Sequence, residues 1–75
     1  MQSVKDDGFL ELLGRRIRSV RLSKGYTQLD LAVRINNHAE QIGRIERGEL
    51  NVSICSLKKI ADALDLSLSD LVKVN

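Results

Sequence analysis

"YTQLDLAVRINNHAEQIGRIERG", residues 26–48, decides how this chain folds. Thr27 offers a side-chain oxygen suited to a helix start. Asp30 stands three residues on, where an acid answers that cap in a capping box. Tyr26 and Leu31 are spaced for the hydrophobic staple across the same start. The pattern predicts a helix over 28–34 that buries Leu31, Ala32 and Ile35. Asn36 and Asn37 tolerate the left-handed backbone that a sharp turn needs. A further helix is expected over 39–47, capped by His38, burying Ile42 and Ile45 and ended by Gly48. Two short amphipathic helices joined only by "INNH" make a helix-turn-helix arrangement.

Upstream, Phe9, Leu10, Leu13, Ile17 and Val20 follow helical spacing, so a first helix is expected over 8–24, closed by Gly25 in the left-handed conformation. Arg15, Arg16 and Arg18 fall largely on its other faces and read as a solvated surface. Downstream, Ser53 caps a helix over 54–64 with Leu57, Ile60, Ala61 and Leu64 as its apolar stripe. Ser67, with Asp70 three residues later, caps a short helix over 68–73. Cys55, early in the fourth helix, is expected to be half-buried. The fold class is therefore all-α: five short helices around one core, a single domain over residues 1–75 with residues 1–7 as an N-terminal arm.

Composition narrows the function. Seventy-five residues lie near the lower limit for a core without disulfides or metal, and 43% hydrophobic with 29% charged residues excludes global disorder. One cysteine and one histidine exclude an internal disulfide framework and argue against a zinc site, so no metal or cofactor is expected. No apolar run is long enough to span a bilayer, and the start "MQSVKDDGFLELL" lacks the features of a signal peptide. A cytoplasmic location without membrane association follows. No Gly-rich phosphate loop or nucleophile–base pairing is visible, so an enzyme is not expected. So small a helical domain also leaves no sensor unit for a small-molecule effector.

The net charge is only +2, but it is unevenly spread. From Gly14 to Gly48, eight basic residues stand against three acidic ones; the remaining positions hold four basic and seven acidic residues. A basic half suggests a polyanionic partner, although solvated helix faces produce the same pattern.

"LGRRIRSVRLSKGYTQLDLA", "IGRIERGELNVS" and "LKKIADALDLSLSDL", in that order, resemble the Xre, or lambda-repressor-like, helix-turn-helix transcription regulators across residues 13–72. The segment "RGELNVSICSLKKIADAL" and the small size are also similar to the controller proteins of restriction–modification systems. The resemblance implies a double-stranded DNA partner, with the third helix in the major groove and the second across the backbone. On this likeness Ala39, Glu40 and Arg44 take the positions that face base edges. Gln28 and Gln41 take phosphate-facing or supporting positions, with Asn37 or His38 adding backbone contacts from the turn and Arg47 following the helix. Arg44 has the geometry to read guanine through two parallel hydrogen bonds. Glu40 either accepts from cytosine or pairs with Arg44 one turn away. Gly43 leaves room for close approach to DNA. Arg21 and Glu46 match a family ion pair that locks the third helix onto the first, and so are structural.

Leu50, Val52, Leu66, Leu68, Val72 and Val74 exceed what one small core needs. A homodimer through the fourth and fifth helices would cover them. An antitoxin-like module that covers a partner protein is the alternative use of the same surface.

Overall fold

The computed structural model describes residues 5–74, in the order α1 (Asp7–Ser23), α2 (Gln28–Arg34), α3 (Ala39–Glu46), α4 (Ile54–Ala63) and α5 (Leu68–Leu71). No strand occurs among the described residues. Residues 1–4, most of the expected arm, lie outside them. Asp6 caps α1, and Asp7 is its first residue. The Asp6 side chain accepts from the Phe9 N–H, and Asp7 puts a carboxylate in the first turn, where it suits the exposed donors of a helix start. The helix thus begins before Gly8, on a cap the apolar spacing did not reveal.

The local signals at α2 act together. Thr27 accepts from the Asp30 N–H at 3.0 Å, and the Asp30 carboxylate accepts from the Thr27 N–H at 2.8 Å, completing the capping box. Hydrogen bonding to the carboxylate from Thr27, from its backbone N–H first and its side chain next, holds the Asp30 carboxyl below its ordinary pKa. Arg34, one turn from Asp30, lies over the Tyr26 ring at 4.0 Å from its centroid. Ser53 and Ser67 cap α4 and α5 through the N–H groups of Ser56 and Asp70.

Four of the helices end in the same way. Residues at positive φ, namely Gly25 (76°), Asn36 (54°), Gly48 (75°) and Asp65 (58°), follow α1, α2, α3 and α4. After α2, the Asn36 N–H returns to Val33 O and the Asn37 N–H to Ala32 O, the paired bonds of a Schellman motif. The same pairing closes the other three. Asn36 therefore makes the turn of the helix-turn-helix in the left-handed conformation anticipated for the asparagine pair, and Asp65 serves an end for which the chain offers no glycine.

One core joins all five helices: Leu13 and Ile17 of α1, Leu31 and Ala32 of α2 with Ile35, Ile42 and Ile45 of α3, Leu57, Ile60 and Ala61 of α4 with Leu64, and Leu71 of α5. Seven of the larger side chains, including Ile17, Leu31, Ile42 and Leu64, are fully enclosed. Phe9 is a correction: it is 39% exposed, and Leu10 takes the buried place at 6%. The stripe through Leu10, Leu13 and Ile17 sets the buried direction, and Phe9 sits about 100° around the helix from Leu10. Cys55 is exposed rather than half-buried, because it stands two residues from Leu57 and so on the far side of the α4 stripe. The helix ends also differ slightly. Arg47 and Leu64 are caps rather than helical residues, and α5 stops at Leu71, short of residue 73.

Candidate nucleic-acid interface

Two glycines let α1 and α3 approach until their backbones touch. A Cβ on Gly14 would collide with the carbonyl oxygen of Glu46 and stand 2.6 Å from that of Ile45. A Cβ on Gly48 would meet the Glu11 backbone at 2.9 Å. The end of α3 is therefore seated on the middle of α1 without an intervening side chain.

A buried ion pair fixes the same junction. Arg21 Nε donates to Glu46 Oε2 at 2.6 Å and Nη2 to Oε1 at 3.0 Å, while Nη1 donates to the Tyr26 carbonyl at 2.8 Å. Both residues are nearly solvent-free, at 5% and 6% exposure. The Glu46 hydrogen bonds raise the Arg21 pKa above its ordinary value, outweighing burial, so the guanidinium stays charged. Gln28 extends the network: its Nε2 donates to Glu46 Oε1 at 3.2 Å. α1, the α1–α2 turn, the start of α2 and the end of α3 are thus linked through this one ion pair.

Gly43 is where α2 meets α3. It is buried, and a Cβ there would lie 3.1 Å from Arg47 Nη1 and 3.4 Å from Gln28 Oε1. The missing side chain makes room for these two residues of the protein itself, which corrects the expectation that the space faces DNA. His38 also departs from expectation. It occupies the N-cap position of α3, but its side chain makes no capping bond; Asn37 Oδ1 instead accepts from the His38 N–H at 2.7 Å.

The outer side of α3 carries the residues singled out from the sequence. Glu40 and Arg47 are exposed, Ala39, Gln41 and Arg44 half-exposed, and Asn37 and His38 open to solvent on the preceding turn. These positions adjoin on α3 and its flanking turn. Gln28, the supporting residue, is half-buried by its bond to Glu46. Gln41 Oε1 is shielded from solvent without a hydrogen-bond partner among the described residues.

Arg44 pairs away from Glu40, the acid one turn back. Its Nε lies 3.6 Å from Glu49 Oε1, one residue beyond the Gly48 cap. Arg47 Nε donates to the other oxygen of the same carboxylate at 2.6 Å. Glu49 was invisible to periodicity because it lies in a loop, where direction depends on cap geometry. Arg16, expected to be solvated, bonds the Asp70 carbonyl at 3.1 Å and ties α1 to α5. The apolar residues named for a dimer, Leu50, Val52, Leu66, Leu68, Val72 and Val74, are half-buried against the core. The more open large apolar side chains include Ile54, Leu29 and Val33.

Comparison with known proteins agrees with this architecture. A helix-turn-helix family model matches residues 17–71. Control protein C.BamHI of Bacillus amyloliquefaciens is 40% identical over 62 residues, 81% of this chain and 76% of the relative. Among solved structures, the restriction–modification controller protein C.AhdI of Aeromonas hydrophila superposes with a TM-score of 0.83 at 36% identity, covering 85% of this chain and 97% of that one. SinR, a master regulator for biofilm formation solved in complex with DNA, gives a TM-score of 0.76 at 34% identity over 81% of this chain and 98% of its own. The fold, the matched span and these relatives together place the chain in the Xre-like helix-turn-helix family of transcription regulators.

Proposed function

We propose that this protein is a sequence-specific double-stranded DNA-binding regulator that acts as a homodimer, with α3 in the major groove of each half-site. The observation that carries this reading is the construction of α3. Its inner side is locked by Gly14 and the Arg21–Glu46 pair, while its outer side presents Glu40, Arg44 and Arg47 with little apolar surface. A rigid helix with polar, groove-facing side chains is what direct readout requires. The similarity to SinR, solved with DNA, supports it.

Size argues for two copies. The eight residues of α3 rise about 12 Å, enough for one segment of a major groove. A two-fold dimer would set two such helices about 34 Å apart on a pseudo-palindrome. Leu50, Val52, Leu66, Leu68 and Val72 are the residues proposed to meet the partner copy, each half-buried already and completed by that contact. Likeness to C.BamHI and C.AhdI supports the narrower role of a controller that regulates its own operon in a restriction–modification system.

The test is fluorescence anisotropy on the duplex upstream of the protein's own coding sequence, with sedimentation of the free protein at micromolar concentration. Salt-sensitive binding of two chains per duplex and a dimer in solution are expected. A monomer that ignores this DNA, or one that copurifies with a different protein, contradicts the autoregulatory role and favours a partner-covering module.

A further inference from the structure

One carboxylate holds both of the arginines that stand free of the core at the end of α3. Glu49 Oε2 accepts from Arg47 Nε at 2.6 Å, and its Oε1 lies 3.5 Å from Arg47 Nη2 and 3.6 Å from Arg44 Nε. All three side chains reach solvent, with Arg44 half-exposed and Arg47 and Glu49 exposed. Exposed ion pairs of this kind contribute little to folding. The arrangement therefore calls for an explanation other than stability.

The backbone puts the carboxylate there. Gly48 turns at φ 75° and is seated against the Glu11 backbone, and the Glu49 N–H returns to Arg44 O at 2.9 Å. Glu49 is thus attached to the closing bonds of α3 rather than to a free loop. Arg47 folds back toward Gly43, where its Nη1 would lie 3.1 Å from a Cβ. The pairing lowers the Glu49 pKa and raises that of Arg47, so the carboxylate stays charged at neutral pH.

From this geometry we infer that Glu49 is an internal competitor for DNA phosphate and base edges, a specificity-determining residue that occupies Arg44 and Arg47 until a duplex displaces it. The inference rests on the reading of α3 as the DNA-facing helix. An arginine bound to a carboxylate has to exchange that partner for a phosphate oxygen or guanine. On unrelated sequence the exchange returns only a phosphate contact, so the gain is small. At the operator, guanine O6 and N7 offer Arg44 a bidentate partner that the single 3.6 Å contact to Glu49 does not match. Glu49 thereby weakens non-specific binding more than specific binding.

The experiment compares wild type, Glu49→Gln and Asp62→Asn on two duplexes of equal length over a range of salt. One duplex is the sequence that wild type selects from a random pool; the other is its scramble. Asp62 pairs with Lys58 on α4 and controls for the change in net charge. Glu49→Gln is expected to bind the scrambled duplex several-fold more tightly, with a log K against log salt slope steeper by about one phosphate contact. Its operator-to-scramble ratio should fall several-fold, with an unchanged thermal midpoint and Asp62→Asn close to wild type. An unchanged ratio and slope would overturn the inference. So would weaker operator binding with the scramble unaffected, which would make Glu49 a brace for Arg44. Failure of wild type to select or bind any duplex would overturn the DNA-binding reading itself, and the inference with it.

Discussion

Glu46→Gln is expected to remove about 3–5 kcal/mol of folding stability, the range for leaving one partner of a buried ion pair uncompensated. Small domains have about 5–15 kcal/mol in total, so the variant should be largely unfolded near physiological temperature. The reason is local. Arg21 is 5% exposed and spends two of its three nitrogens on Glu46, with the third on the Tyr26 carbonyl. A neutral amide leaves a buried guanidinium charge facing no anion, and it also weakens the partner that anchors Gln28. Urea unfolding followed by far-UV circular dichroism measures the loss. Replacing both residues, as Arg21→Met with Glu46→Leu, should recover most of it, because buried pairs can be exchanged for apolar side chains at little cost. A loss below about 1 kcal/mol for the single variant would mean that the junction is held by other contacts.

Gly14→Ala is expected to cost about 2–3 kcal/mol, in the upper range for overpacking, despite the helix propensity that alanine adds. Its Cβ would collide with two carbonyl oxygens and a carbonyl carbon of Ile45 and Glu46, all at 2.7 Å or closer. These are backbone atoms, which no rotamer change can move, so α1 and α3 have to part. Gly8→Ala is the matching control, since its Cβ would find only Asp6 Oδ1 at 3.6 Å. It should be neutral or slightly stabilising. Equal midpoints for the two variants would contradict the close crossing of α1 and α3.

The second of these variants acts where the sequence was least informative. Periodicity located α2, the start of α3, α4 and the buried stripe through Leu31, Ile42 and Ile60, because amphipathic helices and their caps are local properties of the chain. The capping box at Thr27 and Asp30 and the turn at Asn36 were legible for the same reason. Gly14 was not. A glycine required by the backbone of another helix looks, in sequence, like any helical glycine. Asp6 was missed because an acidic cap ahead of a glycine gives no apolar signal, and Phe9 was misplaced because it neighbours the stripe.

The site divides in the same way. That Arg21 and Glu46 form a pair was implied by resemblance and is visible as a buried bidentate contact. That Gly43 accommodates Gln28 and Arg47, and that Arg44 turns to Glu49 rather than Glu40, depends on where two elements meet. No spacing rule within one helix contains that information. The groups that tune the outer face of α3 lie in a neighbouring helix and a cap.

Base reading by α3 is tested most directly by selection of duplexes from a random pool by wild type and by Arg44→Ala. Wild type is expected to enrich a two-fold symmetric motif. Arg44→Ala should lose preference at one matching position in each half-site, a discrimination of about 1–3 kcal/mol per bidentate contact. An Arg44→Ala variant that selects the same motif with undiminished preference, or a wild type that enriches nothing, would contradict a base-reading role for α3.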